Sequence, residues 1–221
     1  MRTSEDIKKD VTDSLYWDNR VDAGEVTVET KNGSVTLGGT VPSYRARYAA
    51  EEDARVVRGV TDVIIQIQVR HPATMTVPTD ADIREDIRDS LDLDPDIDAS
   101  DIEVTTGSGW VTLRGSVPSL WQKDLVSDVV LSTRGVIGFD NELAVVPTKT
   151  VVDQSIADDI VAELERRITV DPTTIDVTVA DGYVTLTGTV PHWRARNAAY
   201  DAARYTLGVI DVIDHLTITG A

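Results

Sequence analysis

The chain has no cysteine, few aromatic residues and no long apolar run, and each absence removes a class of protein. Without cysteine there is no disulfide framework, no thiolate nucleophile and no thiolate metal ligand. Aromatics are 5% of the composition and apolar residues 41%. A core is therefore feasible, but it must be built from Val, Ile, Leu and Ala. No stretch approaches the roughly 20 apolar residues of a membrane-spanning helix. The opening decapeptide MRTSEDIKKD lacks the apolar centre of a secretory signal, so a cytoplasmic protein is expected. Positive charge is also scarce: 21 Lys and Arg stand against 38 Asp and Glu, for a net charge of -17. A field of that sign excludes non-specific nucleic-acid binding and disfavours anionic lipid surfaces. An acidic chain poor in lysine is what a high-salt cytoplasm favours, since salt screens self-repulsion; a GC-rich genome coding for a soluble surface gives the same composition.

What is present is a repeat. Apolar triplets at helical spacing occur as Ile7, Val11, Leu15; Ile83, Ile87, Leu91; and Ile156, Ile160, Leu164. The phrase VTL-x-G-x-VP follows at Val35, Val111 and Val184, always 20 positions after the last Leu (15 to 35, 91 to 111, 164 to 184). A Gly-Val comes 24 positions later in every copy (35 to 59, 111 to 135, 184 to 208). The copies align without an internal gap, so the length differences fall in the linkers HPATMTVPTDAD and VPTKTVVDQS. Three domains are predicted, at residues 3–70, 79–147 and 150–219.

Each copy reads α-β-β-α-β. The first two open on Thr3-x-x-Asp6 and Thr79-x-x-Asp82, a capping-box pattern. Two alternating strands are joined through Asn32-Gly33, Ser108-Gly109 and Asp181-Gly182, a hairpin signal because both central positions accept positive φ. Pro42, Pro118 and Pro191 are predicted in the first turn of the second helix. That helix is expected to end near Gly59, Gly135 and Gly208. The expected fold class is α+β: three tandem small domains, each a three-stranded mixed sheet with two helices on one face. Val26, Val28, Val35 and Leu37 face the helices, and a Thr-rich polar face lies opposite. The second glycine of the phrase, Gly39, Gly115 or Gly188, allows a bend or close packing at the strand end. The phrase marks the fold rather than an active site.

This pattern resembles the BON domain family, named for bacterial osmotic-stress and nodulation proteins. The matching residues are G-x-V-T-L-x-G-x-V (Gly33 to Val41, Gly109 to Val117, Gly182 to Val190), the helix after it, and G-V-x-x-V/F before the last strand. The family's later N-x-L-x-V is intact only as Asn141, Leu143 and Val145; unit one has Ile65 and unit three Asp214 at its first position. The resemblance implies a non-catalytic protein of the stress response that binds a phospholipid surface or another envelope component.

Three candidate sites stand out. DLDPDIDASDIE, Asp92 to Glu103, places acids at positions 1, 3, 5 and 12 of a calcium loop. Ile97 replaces the required glycine and Pro95 interrupts it, so a solvated acidic loop with an Asx turn at Asp98 is expected instead. His71, His192 and His215 do not recur between units and are expected in turns or at the surface, so no catalytic residue, metal or cofactor is assigned. The second-helix starts PSYRARYAA, PSLWQKDLV and PHWRARNAA bring aromatic and basic residues together: Tyr44, Arg45, Arg47, Trp121, Lys123, Trp193, Arg194 and Arg196. Rings and guanidinium groups of this kind are enriched in interfaces. The expected function is binding or assembly, with a second copy or another protein as partner. A peripheral phospholipid module with weak membrane-surface contact and a cation-binding sensor are the alternatives. Enzymatic activity is not expected.

Overall fold

The computed structural model describes residues 2–220. The first unit runs α1 (Ser4–Trp17), β1 (Val26–Lys31), β2 (Ser34–Val41), α2 (Tyr44–Arg55), β3 (Asp62–Ile65) and β4 (Gln68–Val69). The second repeats it as α3 (Asp80–Leu93), β5 (Ile102–Gly107), β6 (Trp110–Val117), α4 (Leu120–Ser132), β7 (Gly138–Asn141) and β8 (Ala144–Val145). The third is α5 (Asp153–Arg166), β9 (Ile175–Ala180), β10 (Tyr183–Val190), α6 (Trp193–Arg204) and β11 (Asp211–Ile218). The chain is α+β, and each sheet is mixed. The VTL strand is central, antiparallel to the strand before it and parallel to the strand after its helix. β3 and β4 keep one register against β2, as do β7 and β8 against β6, so each pair is one strand with a gap in its ladder.

Local chemistry explains the elements. Every residue of the three apolar triplets is buried. Thr3–Asp6 and Thr79–Asp82 form complete capping boxes, the threonine side chain accepting from the N3 amide while the aspartate accepts from the threonine amide. In the hairpins Asn32, Ser108 and Asp181 have φ of 52°, 53° and 52°, and the following glycines are also positive, as the primed turn demands. Leu37, Leu113 and Leu186 are fully buried beneath the helices.

Two expectations need correcting. Pro42, Pro118 and Pro191 lie outside the second helices, one residue ahead of the caps Ser43, Ser119 and His192, because these caps take extended φ/ψ and start the helix themselves. The second helices also stop three to four residues before Gly59, Gly135 and Gly208, which sit in the turns beyond with φ of 91–92°.

Candidate interaction site

The helix-start residues lie at the seams between units. Tyr44, half-buried, meets Phe139 of the second unit edge-on, with ring centroids 5.7 Å apart. Arg45 donates to Ser132 Oγ at the end of α4, 2.7 Å away. Arg47 lies 5.3 Å over the Tyr44 ring. At the next seam Asp124 of α4 accepts from Arg204 of α6 at 2.9 Å. At the third, Trp193 is buried, with Arg55 of α2 4.9 Å above its ring and Arg196 of its own unit 4.7 Å away. The start of each second helix thus touches the end of the next one, α2 on α4, α4 on α6 and α6 on α2, and the cycle closes. Thr219 and Gly220 return to the first unit beside Arg2, Gly33, Gly59 and Thr61.

The eight predicted residues do not share one surface. Tyr44, Arg45 and Trp193 contact other units of the same chain. Arg196 pairs with Asp214 at 2.8 Å within its unit. Lys123 offers its carbonyl oxygen to Asn141 Nδ2 at 3.1 Å. Trp121 is half-buried and Arg194 exposed. Sequence reasoning missed Arg55 and Arg204. They occupy the same position in their units (55 and 204 differ by the same 149 as Val35 and Val184), and that recurrence was the available signal. It also missed Asp80 and Asp153, whose carboxylates accept from the hairpin amides of Ser108–Gly109 and Asp181–Gly182 at 2.8–3.0 Å and pin each turn to a helix start.

The remaining candidates resolve into structural parts. Ile97 is buried, Asp94 accepts from the Asp96 amide at 2.9 Å, and Asp98 accepts from the amide and hydroxyl of Ser100, the expected Asx turn. Among the described residues no group of three or more His, Asp or Glu could hold a metal ion, and no helix is long and apolar enough to cross a membrane. His192 caps α6 through Nδ1, His215 is exposed, and His71 sits at a seam with its ring nitrogens 3.1 and 3.3 Å from the carbonyl oxygens of Pro42 and Gly135.

Two carboxyls are shifted upward, Asp124 and Asp53. Burial pushes Asp124 up, and its ion pair with Arg204 offsets only part of that. Asp53 on α2 is raised to about 6, chiefly by burial and then by the nearby negative charge of Asp18, which Arg20 holds ionised. Since the unfolded value is 3.8, the folded state holds a proton between 3.8 and about 6 that the unfolded chain has released. This group's contribution to stability therefore falls as pH rises through that window. Asp53→Asn is expected to raise the melting temperature at neutral pH and to change it little near pH 3.8. An equal gain at both pH values would assign the effect to something other than charge burial.

Three gap-free copies of one small unit, joined through recurring seam positions and leaving a polar sheet face open on each, define a tandem array of modules rather than a single-cleft protein. The chain belongs to the BON domain family: the family's sequence model matches residues 3–71, 79–147 and 152–220. It is 28% identical over 140 residues to the osmotically-inducible protein Y of Escherichia coli strain K12, covering 62% of this chain and 70% of that protein. Solved structures of CdsD, a structural protein of the type III secretion system of Chlamydia trachomatis, align over 96% of this chain and 92% of the other, and in a second case, its C-terminal domain, over 98% and 99%. They do so at 13% identity and TM-scores of 0.26 and 0.27.

Proposed function

We propose that the chain is a non-catalytic binding and assembly protein of the osmotic stress response, its three BON units acting as one closed scaffold. The cycle of seams through Tyr44, Asp124 and Trp193 supports this reading, because it spends the aromatic and basic side chains on holding modules together rather than on reaction chemistry. The relation to osmotically-inducible protein Y supports the stress assignment. A second copy of the chain is the partner this reading favours: the seam between the third and first units, through Trp193 and Arg55, joins complementary side chains that two chains also present to each other. The test is growth of Escherichia coli lacking osmotically-inducible protein Y in high-osmolarity medium. Expression of this chain is expected to restore growth, and a chain carrying Arg55→Glu with Trp193→Ser is expected not to. Failure of the wild-type chain to restore growth would remove the stress role.

A phospholipid surface is the second reading. What favours it is exposed apolar surface at the ends of the first helices: Trp17 is 80% exposed, Leu93 at the equivalent position 82%, and Ile168 two positions further along is fully exposed. Vesicle flotation separates the two readings.

A further inference from the structure

The outward face of the second sheet departs from its two sister sheets in one place, and the departures fit together. Where units one and three carry Ser34 and Tyr183, unit two carries Trp110; where they carry Asp62 and Asp211, it carries Gly138; where they carry Ile64 and Ile213, it carries Asp140. These three residues are neighbours. Trp110 and Gly138 pair in register, and Asp140 is two residues along the same strand, hence on the same face. The indole lies across Gly138, where an added Cβ would come 2.3 Å from a ring carbon. Its Nε1–H donates to Asp140 at 2.8 Å. Anchored at two points against the sheet, the ring still leaves the residue 45% exposed. Its partner on the other side is Gly107, and a Cβ built there meets nothing within 4 Å. Further along the same face Arg114 pairs with Glu142 at 2.8 Å, both exposed. The sister sheets, with Asp62 and Asp211 at the Gly138 position and Ile64 and Ile213 at the Asp140 position, have no such seat for a ring.

We propose that Trp110, seated on Gly138 and hydrogen-bonded to Asp140, is a binding platform for a neutral saccharide. A pyranose has a flat face of C–H groups and a rim of hydroxyls. An indole fixed flat on a sheet takes the first, through apolar contact at little entropic cost because the ring is already immobilised. The Asp140 carboxylate beside it takes the second, through charge-assisted hydrogen bonds. The net charge of -17 turns away phosphates and acidic sugars, which leaves an uncharged ligand as the class that fits. The open floor at Gly107 gives a second sugar ring room to lie beside the first.

The test is a titration of the full chain, 15N-labelled at tryptophan so that the indole N–H groups of Trp17, Trp110, Trp121 and Trp193 report separately. The probes are maltotriose and chitotriose, each used alone. The expected result is a saturable shift of the Trp110 signal and not of the other three, with a dissociation constant of about 1 mM for at least one probe. Gly138→Ala lifts the ring from its seat without altering its chemistry and is expected to weaken that binding about tenfold; Asp140→Ala is expected to do the same. Tyr183→Ala in the third unit should leave it unchanged. The proposal is overturned if neither saccharide moves the Trp110 signal, if all four indoles shift alike, or if Gly138→Ala and Asp140→Ala, each with a wild-type melting temperature, bind as tightly as wild type.

Discussion

Gly115→Ala is expected to unfold the second unit at temperatures where the wild-type unit is intact. Gly115 has φ of 115°, and a Cβ placed on it would lie 1.7 Å from the carbonyl oxygen of Asp101, where the chain enters β5. That distance is far inside van der Waals contact, and the obstacle is backbone rather than the end of a flexible side chain. The substitution therefore combines a backbone conformation open only to glycine with a forced separation of β5 from β6, a cost of about 3 kcal/mol or more. Small units have little stability to lose. Gly39 and Gly188 stand in the same relation to Glu25 and Thr174, at 2.0 and 2.1 Å, so the requirement belongs to the repeat and not to one copy. Gly107→Ala is the control: it meets open space, and its effect should stay within about 0.5 kcal/mol. Calorimetry on the two variants decides the point. A Gly115→Ala protein that melts like Gly107→Ala would show that β5 does not need its close approach to β6.

The same glycine shows why much of the fold was legible in the sequence. Apolar triplets at i, i+4 and i+8, an alternating strand and a two-residue turn are local signals, and three copies in one register reinforce them. The capping boxes at Thr3 and Thr79 were readable for the same reason. The prolines misled because their preference for a first turn holds equally for a residue just ahead of a Ser or His cap. The seams were hidden for a different reason. Their partners come from different units, and the facing positions do not repeat cleanly: Tyr44, Leu120 and Trp193 are equivalent, as are Arg55, Leu131 and Arg204. Only the recurrence of arginine at 55 and 204 marked these seams, and it does not say which ring or carboxylate of another copy each one meets.

Divergence among the copies also explains the broken N-x-L-x-V motif. In unit two Asn141 ties the last strand to the second helix, donating to the Lys123 carbonyl and to Ser127 Oγ. In unit three the tether is ionic, Arg196 to Asp214. In unit one Ile65 offers no polar partner, and Arg47, which aligns with Arg196, keeps only the contact with the ring of its own helix start, Tyr44. The tie between last strand and second helix thus differs in each unit with one strand residue.

Trp193 holds the seam that no linker spans, so its loss has a larger consequence than its burial alone. The first and second units are joined through residues 71–79 and the second and third through 146–152, but the third meets the first only by non-covalent contact. There Arg55 and Arg196 both lie against the Trp193 ring, and Arg196 is held by Asp214. Trp193→Ala removes the buried ring and both cation–π contacts, at a cost of about 3–5 kcal/mol. It also strands Arg55 in a space the ring had filled. The third unit is then expected to swing away from the first, and X-ray scattering should record a larger radius of gyration at low protein concentration. At high concentration the freed faces are expected to pair between chains, with a rise in scattering mass. Trp193→Phe separates ring from indole nitrogen. Nε1 is buried without a hydrogen-bond partner, so phenylalanine keeps the stacking and removes an unsatisfied donor, and should cost less than about 1.5 kcal/mol. A Trp193→Ala protein that melts earlier but keeps the wild-type radius would place the residue in the core of its own unit and leave the ring closed by other contacts.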